Sequence, residues 1–320
     1  MNTQTLEALI APQIDEDDAA ADTAGQHDNP LMALVEATPQ SDISQSQVHF
    51  DIPREADFVG FYGMRDNPFA DSINPAYFFR IESHRDVITR MLMAVRYNVS
   101  LGMVTGESGA GKTLVSQILL QNIDQETHQA VLVLVTPGMS KTALLRTILS
   151  ELNIALPTGI VRTQDLVRLL TNHVIDLYQE GRRLVIVIDE CHFLTSDSLH
   201  ILRTVSNIEI PECKLVTCLL FGESRFAKRL ENPSYDSLRN RMYLQCQLQP
   251  LTLEEVAHYV SYRLSVAGRS ESLFDDDALA LLHERSGGIA RSLSKLCMLS
   301  LLEGALSRSP RITRDIAAVI

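Results

Sequence analysis

A glycine-rich segment carries the clearest chemistry in this sequence of 320 residues. It consists of Gly106, Glu107, Ser108, Gly109, Ala110, Gly111, Lys112 and Thr113. This P-loop fits the pattern G-x-x-x-x-G-K-T, in which backbone N–H groups curl around phosphates and a helix N-terminus adds its positive dipole. An apolar run before it and a helical pattern after it supply the strand–loop–helix context. The segment therefore predicts ATP binding, with Lys112 at the β- and γ-phosphates and Thr113 as a ligand of Mg²⁺.

Two carboxylates that follow an apolar run predict the hydrolytic half of the site. Asp189 and Glu190 come directly after residues 184–188 (LVIVI), so they lie at the carboxyl edge of a parallel sheet, where ligands bind. We expect Asp189 to hold Mg²⁺ through water and Glu190 to orient and deprotonate the attacking water. His192 is either a residue at the start of a helix or a relay between Glu190 and its neighbours. The run Asp-Glu-Cys-His is also similar to a helicase DExH box, but such helicases need two RecA-like lobes and this chain fits only one.

Three arginines are candidates for neutralising charge in the transition state of phosphoryl transfer. Arg239 and Arg241 lie between the fourth and fifth predicted strands. They either project as fingers into a neighbouring subunit's site or form a solvated basic turn. Arg291 opens a predicted helix after two glycines, where it can fold over the γ-phosphate and couple hydrolysis to the movement of a lid.

The elements that must position these residues alternate between strands and helices. Continuous apolar runs predict strands at 100–105, 130–135, 184–188, 215–221 and 242–248. Helical periodicity predicts helices at 81–97, 113–123, 141–152 and 164–178, then at 253–266, 277–285, 289–306 and 313–320. Runs that are apolar on both faces are typical of a parallel sheet covered by helices, and the alternation implies right-handed crossovers. The sequence thus predicts an α/β sheet domain over 51–250 and an all-helical domain over 251–320.

The first 50 residues differ from the remainder in composition. They hold nine acidic residues and no lysine or arginine, which accounts for most of the net charge of −12. Such a segment buries too little apolar surface to offset its ordering entropy, so residues 1–50 are predicted to be a disordered acidic tail. Two apolar islands, 6–10 and 31–35, are either residual helix or short docking motifs. The nearly neutral remainder creates no strong general attraction to nucleic acid.

Cysteine usage and hydropathy bear on location. The five cysteines form no CxxC pair, which favours reduced, buried thiols. The sequence shows neither the pattern of a signal peptide nor an apolar run near the ~18–20 residues that span a bilayer. We therefore expect a soluble, cytoplasmic protein without a membrane span.

Further segments carry a resemblance to a known family. They are 62–69 (YGMRDNPF), 82–85 (ESHR), 202–209 (LRTVSNIE), 238–242 (LRNRM), 262–264 (YRL) and 286–291 (SGGIAR), in addition to the P-loop and Asp189-Glu190. With them, about residues 58–310 resemble the ExeA/GspA-type AAA+ ATPases, a group that also holds the MSHA-pilus ATPase and the transposition helpers of the TniB/TnsC kind.

The resemblance implies a three-layer P-loop AAA+ core with a five-stranded parallel sheet, followed by a C-terminal helical lid. It also implies ATP-dependent homo-oligomers, often rings. Asn67, Pro68 and Phe69 would lie near the adenine, the alternative being a plain loop anchored in the core by Phe69.

Three departures from the family pattern limit the comparison. Glu223 stands where the family often has glutamine, so it is only a weak candidate for the sensor-1 role, and Ala290 replaces a proline beside Arg291. The ExeA/GspA-type proteins carry a transmembrane helix and a periplasmic peptidoglycan-binding region, which we do not expect here.

Three functions are compatible with these observations. The favoured one is a motor ATPase that assembles or remodels a protein machine of the secretion, pilus or envelope type, with itself and an unidentified protein client as partners. The second is a transposition-type regulator that coats DNA in its ATP state, which the acidic tail and the lack of a Lys/Arg cluster disfavour. The third is a slow nucleotide switch with residues 1–50 as an autoinhibitory arm.

Overall fold

Five apolar runs of the sequence form one parallel sheet. The computed structural model describes residues 57–70, 77, 79, 81–156 and 162–320. The strands of the sheet are β1 (Leu101–Gly106), β2 (His128–Leu134), β3 (Arg183–Asp189), β6 (Val216–Glu223) and β7 (Met242–Gln247). They lie in the order β2-β3-β6-β1-β7, and every neighbouring pair is parallel. The predicted five-stranded parallel sheet is confirmed.

Strand β3 shows why its run is apolar without alternation. Every residue from 184 to 188 is fully buried. Leu184, Ile186 and Ile188 face one hydrophobic cluster, whereas Val185 and Val187 face another on the opposite side of the sheet. Because side chains alternate between the faces of a strand, a strand covered on both sides must be apolar throughout.

Helices cover the sheet and form the C-terminal part of the chain. Those before β7 are α1 (Phe58–Phe61), α2 (Glu82–Arg96), α3 (Lys112–Gln121), α4 (Lys141–Glu151), α5 (Thr163–Gln179), α6 (Ser196–Val205), α7 (Ser224–Leu230) and α8 (Asp236–Arg239). Those after it are α9 (Leu253–Val266), α10 (Asp276–Ser286), α11 (Ala290–Leu306) and α12 (Arg314–Val319). A hairpin of β4 (Glu209–Ile210) and β5 (Cys213–Lys214), together with helices α1, α6, α7 and α8, was not predicted.

The C-terminal helices surround a third hydrophobic cluster, which includes residues from the start of the described chain. Tyr62 and Phe69 are buried among helices α9–α12, and the Phe69 ring meets that of Phe274 edge-on at 6.3 Å between centroids. The predicted capping box at the start of α9 is present, since Thr252 and Glu255 each accept a backbone N–H from the other. A parallel bridge between Phe274 and Ile312 is the one pairing of strand type among these helices.

The N-terminal part of the chain lies outside the described residues. The predicted tail 1–50 and its apolar islands lie outside the described residues, and the domain boundaries near 50 and 250 stay predictions.

All five cysteines are unpaired, and four of them are buried. Among the described residues, none of the helices has the length and apolar character that a bilayer span requires.

Candidate functional site

The P-loop connects the carboxyl end of β1 to the first turn of α3, as the sequence predicts. Gly109 and Gly111 have φ values of +83° and +93°, a conformation that L side chains rarely adopt. Lys112 is 6% exposed. Its Nζ donates to the carbonyl oxygens of Gly106 at 3.2 Å and Glu107 at 2.9 Å. The loop therefore holds the ammonium against its own backbone, beside the place where phosphates would bind.

Asp189 lies at the same edge of the sheet as the P-loop. Strand β6 separates β1 from β3, with Gly106 paired to Glu223 and Ile188 to Leu220. Asp189 is 1% exposed, and its Oδ1 accepts the N–H of Glu190 at 2.8 Å. Its Oδ2 is buried and has no hydrogen-bond partner among the described residues.

This buried oxygen tests whether the residues present fit a magnesium ion. A carboxylate oxygen withdrawn from water without a partner is costly, so a cation or ordered water is expected beside it. Mg²⁺ in nucleotide sites takes one or two protein oxygens, keeps several waters and binds the substrate phosphates. Asp189 and Thr113, the second residue of α3, are a donor set of that kind.

Glu190 has an unusual backbone. Its φ of 54° and ψ of 35° place a residue with a side chain in the left-handed region, at a cost of about 1–2 kcal/mol. This conformation turns the chain sharply out of β3 into the 3₁₀ turn Cys191–Phe193. The side chain is 34% exposed, so water can reach the carboxylate. Backbone strain of this kind is concentrated at functional sites.

The His192 side chain lies between two carboxylates. It is 2% exposed, with Nδ1 3.2 Å from Glu190 Oε2 and Nε2 3.8 Å from Glu223 Oε1. Neither nitrogen has a well-directed hydrogen bond within the described part of the chain. Burial lowers the pKa of His192, and the two carboxylates partly oppose that shift. Glu223 also pairs through Oε2 with Arg225 Nε at 2.8 Å.

The C-terminal helices bring Arg291 to the P-loop. Its backbone N–H donates to the carbonyl oxygen of Gly109 at 3.2 Å. A methyl group at Gly109 would lie 2.8 Å from the Arg291 Cβ. The backbone of Arg291 therefore lies against the P-loop, and the predicted lid role of its side chain stays a prediction.

A histidine that the sequence offered only as part of a family motif also contacts the P-loop. The imidazole of His84 on α2 is buried, with Nε2 3.1 Å from the carbonyl oxygen of Ala110. Burial lowers the pKa of His84. Because a carbonyl only accepts, Nε2 is the donor, so this contact braces the loop from the side of α2. No sequence pattern distinguishes this histidine from an ordinary core residue.

Arg239 and Arg241 lie away from their own chain's P-loop. Arg239 donates to the carbonyl oxygens of Leu230 and Glu231 and pairs with Asp236. Arg241 precedes β7, and its carbonyl accepts a hydrogen bond from Ser100, just before β1. Both strands are parallel, so this is the opposite edge of the sheet, about 17–20 Å away for a six-residue strand. The structure does not bring these arginines into the site of the same chain.

Residues 67–69 are fixed to the C-terminal helices. Asn67 Oδ1 accepts the N–H of Phe69 at 2.9 Å, and the carbonyl oxygen of Pro68 accepts from Arg263 at 3.0 Å. Phe69 is 2% exposed, which fits the alternative of an anchored loop. The predicted contact with adenine stays a prediction.

A matched pair of glycine variants tests how the lid is joined to the sheet domain. Gly288 has φ +71°, and a methyl group there would lie 2.9 Å from the Leu251 N. Gly181 has φ +80°, and such a group would meet nothing within 4 Å. Gly288→Ala is expected to lower the free energy of unfolding by at least about 2 kcal/mol, against about 1 kcal/mol for Gly181→Ala. Urea unfolding of both variants measures the difference, and equal losses would contradict the close approach.

Comparison with known proteins defines the class to which this fold and site correspond. A family model described as AAA domain matches residues 95–230. The structure superposes on Cdc6p from Pyrobaculum aerophilum with a TM-score of 0.61 at 17% identity, covering 77% of this chain and 68% of that one. It superposes on the Aeropyrum pernix ORC1 protein with a TM-score of 0.58 at 17% identity, covering 77% and 66%. The protein therefore has the P-loop AAA fold, a fold that implies nucleotide binding and NTPase activity.

The chain belongs to the ExeA/GspA-type AAA+ ATPases, as its sequence predicts. The chain is 31% identical over 257 residues to General secretion pathway protein A of Aeromonas hydrophila, across 80% of this chain. It spans 46% of the length of that relative. The relationship therefore covers more of this chain than the AAA domain at 95–230, and more than half of the relative lies outside it.

Proposed function

We propose that this protein binds Mg·ATP at the P-loop and hydrolyses it at an interface between copies of the chain. The observation that carries the proposal is the convergence of Lys112, Asp189 and Glu190 at one edge of the sheet. A buried ammonium, a buried carboxylate with an unpartnered oxygen and a water-accessible carboxylate are the three protein groups that phosphoryl transfer to water needs.

Each residue has a separate task in this proposal. Backbone N–H groups of the P-loop bind phosphate oxygens, and Lys112 Nζ exchanges its contacts with Gly106 and Glu107 for phosphate. Thr113 and, through water, Asp189 would hold Mg²⁺, which would supply positive charge beside the phosphates. Glu190 orients the attacking water and accepts its proton. Arg291, whose backbone N–H contacts the P-loop at Gly109, reports the presence of the γ-phosphate to the lid.

Arg239 and Arg241 provide the argument for an oligomer. They cannot serve the P-loop of their own chain, because they lie at the opposite edge of the sheet. If two copies pack with this edge of one sheet against the P-loop edge of the other, the arginines of the first copy reach the P-loop of the second. In other P-loop enzymes, an arginine supplied in trans is worth about 10³–10⁵ in turnover. Supply of an arginine in trans is the support for the ATP-dependent homo-oligomer, which is ring-shaped in this proposal.

Complementation between two inactive variants tests this arrangement. Lys112→Ala lacks the nucleotide site but keeps both arginines, whereas the double variant Arg239→Ala/Arg241→Ala keeps the site but lacks the fingers. Each alone is expected to retain less than about 1% of wild-type ATPase turnover, because an arginine finger and the P-loop lysine each contribute more than that factor. Mixing them should restore a substantial fraction, because subunits of the first kind supply arginines to sites of the second kind.

The control for this mixture is Arg168→Ala, which removes a side chain that is 75% exposed on α5. That variant should hydrolyse ATP normally by itself. If the Arg239/Arg241 double variant also keeps full turnover, neither arginine acts as a finger. If it is inactive but cannot be complemented, the arginines act within their own chain or support its fold.

The proposed load is a protein assembly of the secretion, pilus or envelope type. Its support is the similarity to General secretion pathway protein A, whose name assigns that relative to general secretion. The part of that relative outside the match is not represented, so its client and location come to this chain only as proposals. The cytoplasmic location predicted from the sequence stays a prediction.

A further inference from the structure

We propose that His192 is a positioning residue that fixes the Glu190 carboxylate and ties it to Glu223 at the end of β6. The inference rests on the proposed role of Glu190 in hydrolysis. If so, the orientation of the Glu190 carboxylate depends on Glu223, which lies where strand β6 ends at the P-loop edge of the sheet.

The geometry around the imidazole carries the inference. Its Nδ1 lies 3.2 Å from Glu190 Oε2 and its Nε2 lies 3.8 Å from Glu223 Oε1, so the ring spans the gap between the two carboxylates. The other oxygen of Glu223 is held by Arg225 at 2.8 Å. Arg225, Glu223, His192 and Glu190 therefore lie in sequence along this edge. The Arg225–Glu223 contact is a short ion pair, whereas the two His192 nitrogens face the carboxylates without a well-directed hydrogen bond among the described residues.

Packing leaves the ring little freedom. The His192 side chain is 2% exposed, and its ring centroid lies 4.0 Å from that of Phe193. The turn that carries it presses against the end of β6, since a methyl group at Gly222 would lie 2.6 Å from Cys191 Sγ and 3.3 Å from His192 N. The imidazole is therefore fixed by its surroundings, whereas Glu190, with 34% exposure, is free to move unless it is held.

This arrangement distinguishes positioning from simple filling of space. An apolar side chain would pack against Phe193 equally well, but it would leave Glu190 and Glu223 without a group between them. Two carboxylates so placed repel each other. A neutral imidazole donates a hydrogen bond through one of its nitrogens, and Nδ1, 3.2 Å from Glu190 Oε2, is the one nearer to a carboxylate. Misplacement of a catalytic group by about 1 Å can cost about 100-fold in rate, so loss of the ring should reduce turnover without reducing ATP binding.

Two substitutions of His192 distinguish a residue that positions Glu190 from one that only fills space. His192→Ala is expected to lower kcat about 30- to 100-fold while the affinity for ATP stays within about twofold. His192→Gln places an amide N–H near the Glu190 carboxylate. We expect its log kcat to recover at least about a third of the difference between His192→Ala and the wild type. Steady-state phosphate release gives kcat and KM, and titration with a fluorescent ATP analogue gives affinity. The control is His200→Ala, which removes an exposed histidine of α6 and should change neither.

A double-mutant cycle tests the link to the end of β6. Glu223→Gln should reduce kcat in the wild-type background and have little further effect once His192 is alanine, because the contact that transmits its position is already gone. Effects that multiply independently would contradict the link, even if each variant alone is impaired.

The outcomes also separate this proposal from the proposed function. Glu190→Gln is measured alongside; full turnover in that variant rejects hydrolysis by Glu190 itself. If Glu190→Gln is inactive and His192→Ala keeps wild-type kcat, the positioning role is overturned and the hydrolytic role stands. If circular dichroism shows that His192→Ala is unfolded, the positioning role is tested with His192→Gln and with a double-mutant cycle of His192→Gln and Glu223→Gln. Equal loss of kcat and of ATP affinity in His192→Gln would indicate a purely structural residue.

Discussion

Replacing Lys112 by alanine is expected to weaken ATP binding strongly. The ammonium is buried at the P-loop, where Gly106 and Glu107 hold it beside the phosphate position. Truncating one member of a desolvated charge pair costs about 2–5 kcal/mol, so the affinity for ATP should fall at least about 30-fold. Isothermal titration calorimetry of Lys112→Ala with Mg·ATP measures the loss.

The surface residue Lys141 provides the matched control. Its side chain is 43% exposed and pairs with Asp197 at 3.0 Å, a contact worth about 0–1 kcal/mol. Lys141→Ala should bind ATP as the wild type does. Wild-type affinity in Lys112→Ala, with both variants folded, would place the nucleotide elsewhere and reject the proposed site. Lys112→Arg is expected to restore little, because the bulkier planar guanidinium does not fit where a compact ammonium is enclosed.

The second large effect is expected from Glu190→Gln, which should bind ATP but not hydrolyse it. The amide keeps the size of the side chain and removes its ability to accept a proton from water. General-base catalysis contributes about 10²–10⁴ in rate, so steady-state phosphate release should fall by at least about 100-fold. Because the ATP state would persist, sedimentation with Mg·ATP should show a stable oligomer that the wild type forms only transiently.

A second acidic residue serves as the control for this variant. The side chain of Glu180 is 62% exposed, and Glu180→Gln should keep both turnover and assembly. Wild-type turnover in Glu190→Gln would show that another group activates the water. A variant that fails to bind ATP would instead indicate that Glu190 supports the fold of the P-loop edge.

The persistent ATP form is also the reagent for identifying the client. Affinity capture of Glu190→Gln with ATP from native cells, followed by mass spectrometry, should recover components of a secretion, pilus or envelope assembly. Recovery of only DNA-processing proteins, together with duplex binding that falls steeply with salt, would reject the proposed load and favour the regulator of transposition type. Brisk, equal ATPase rates with and without residues 1–50 would argue against a slow switch.

Much of the fold was accessible from local pattern. Residues 184–188 are apolar throughout because both faces of β3 are covered, and that composition is visible without a structure. The P-loop was equally accessible, since its glycines and lysine serve a backbone geometry that few other residue types allow. Helix α9 begins where its capping box predicts.

Short elements escaped prediction for a physical reason. Helix α6 has ten residues and buries only Leu199, Leu202 and Val205 among its large apolar side chains, and its start depends on a local contact in which Thr195 accepts from the Ser198 N–H. Strands β4 and β5 have two residues each. A pattern of that length is too brief for a periodicity to be recognised, and neighbouring packing decides its conformation.

The sequence by itself determined which groups could do chemistry: the P-loop with Lys112, the pair Asp189 and Glu190, and Arg291. Their types and spacing encode that information locally. Only the tertiary structure decided what these groups touch. It placed Arg291 against Gly109, His84 against Ala110 and His192 between two carboxylates, because residues distant in the chain meet only when the sheet and its helices pack together.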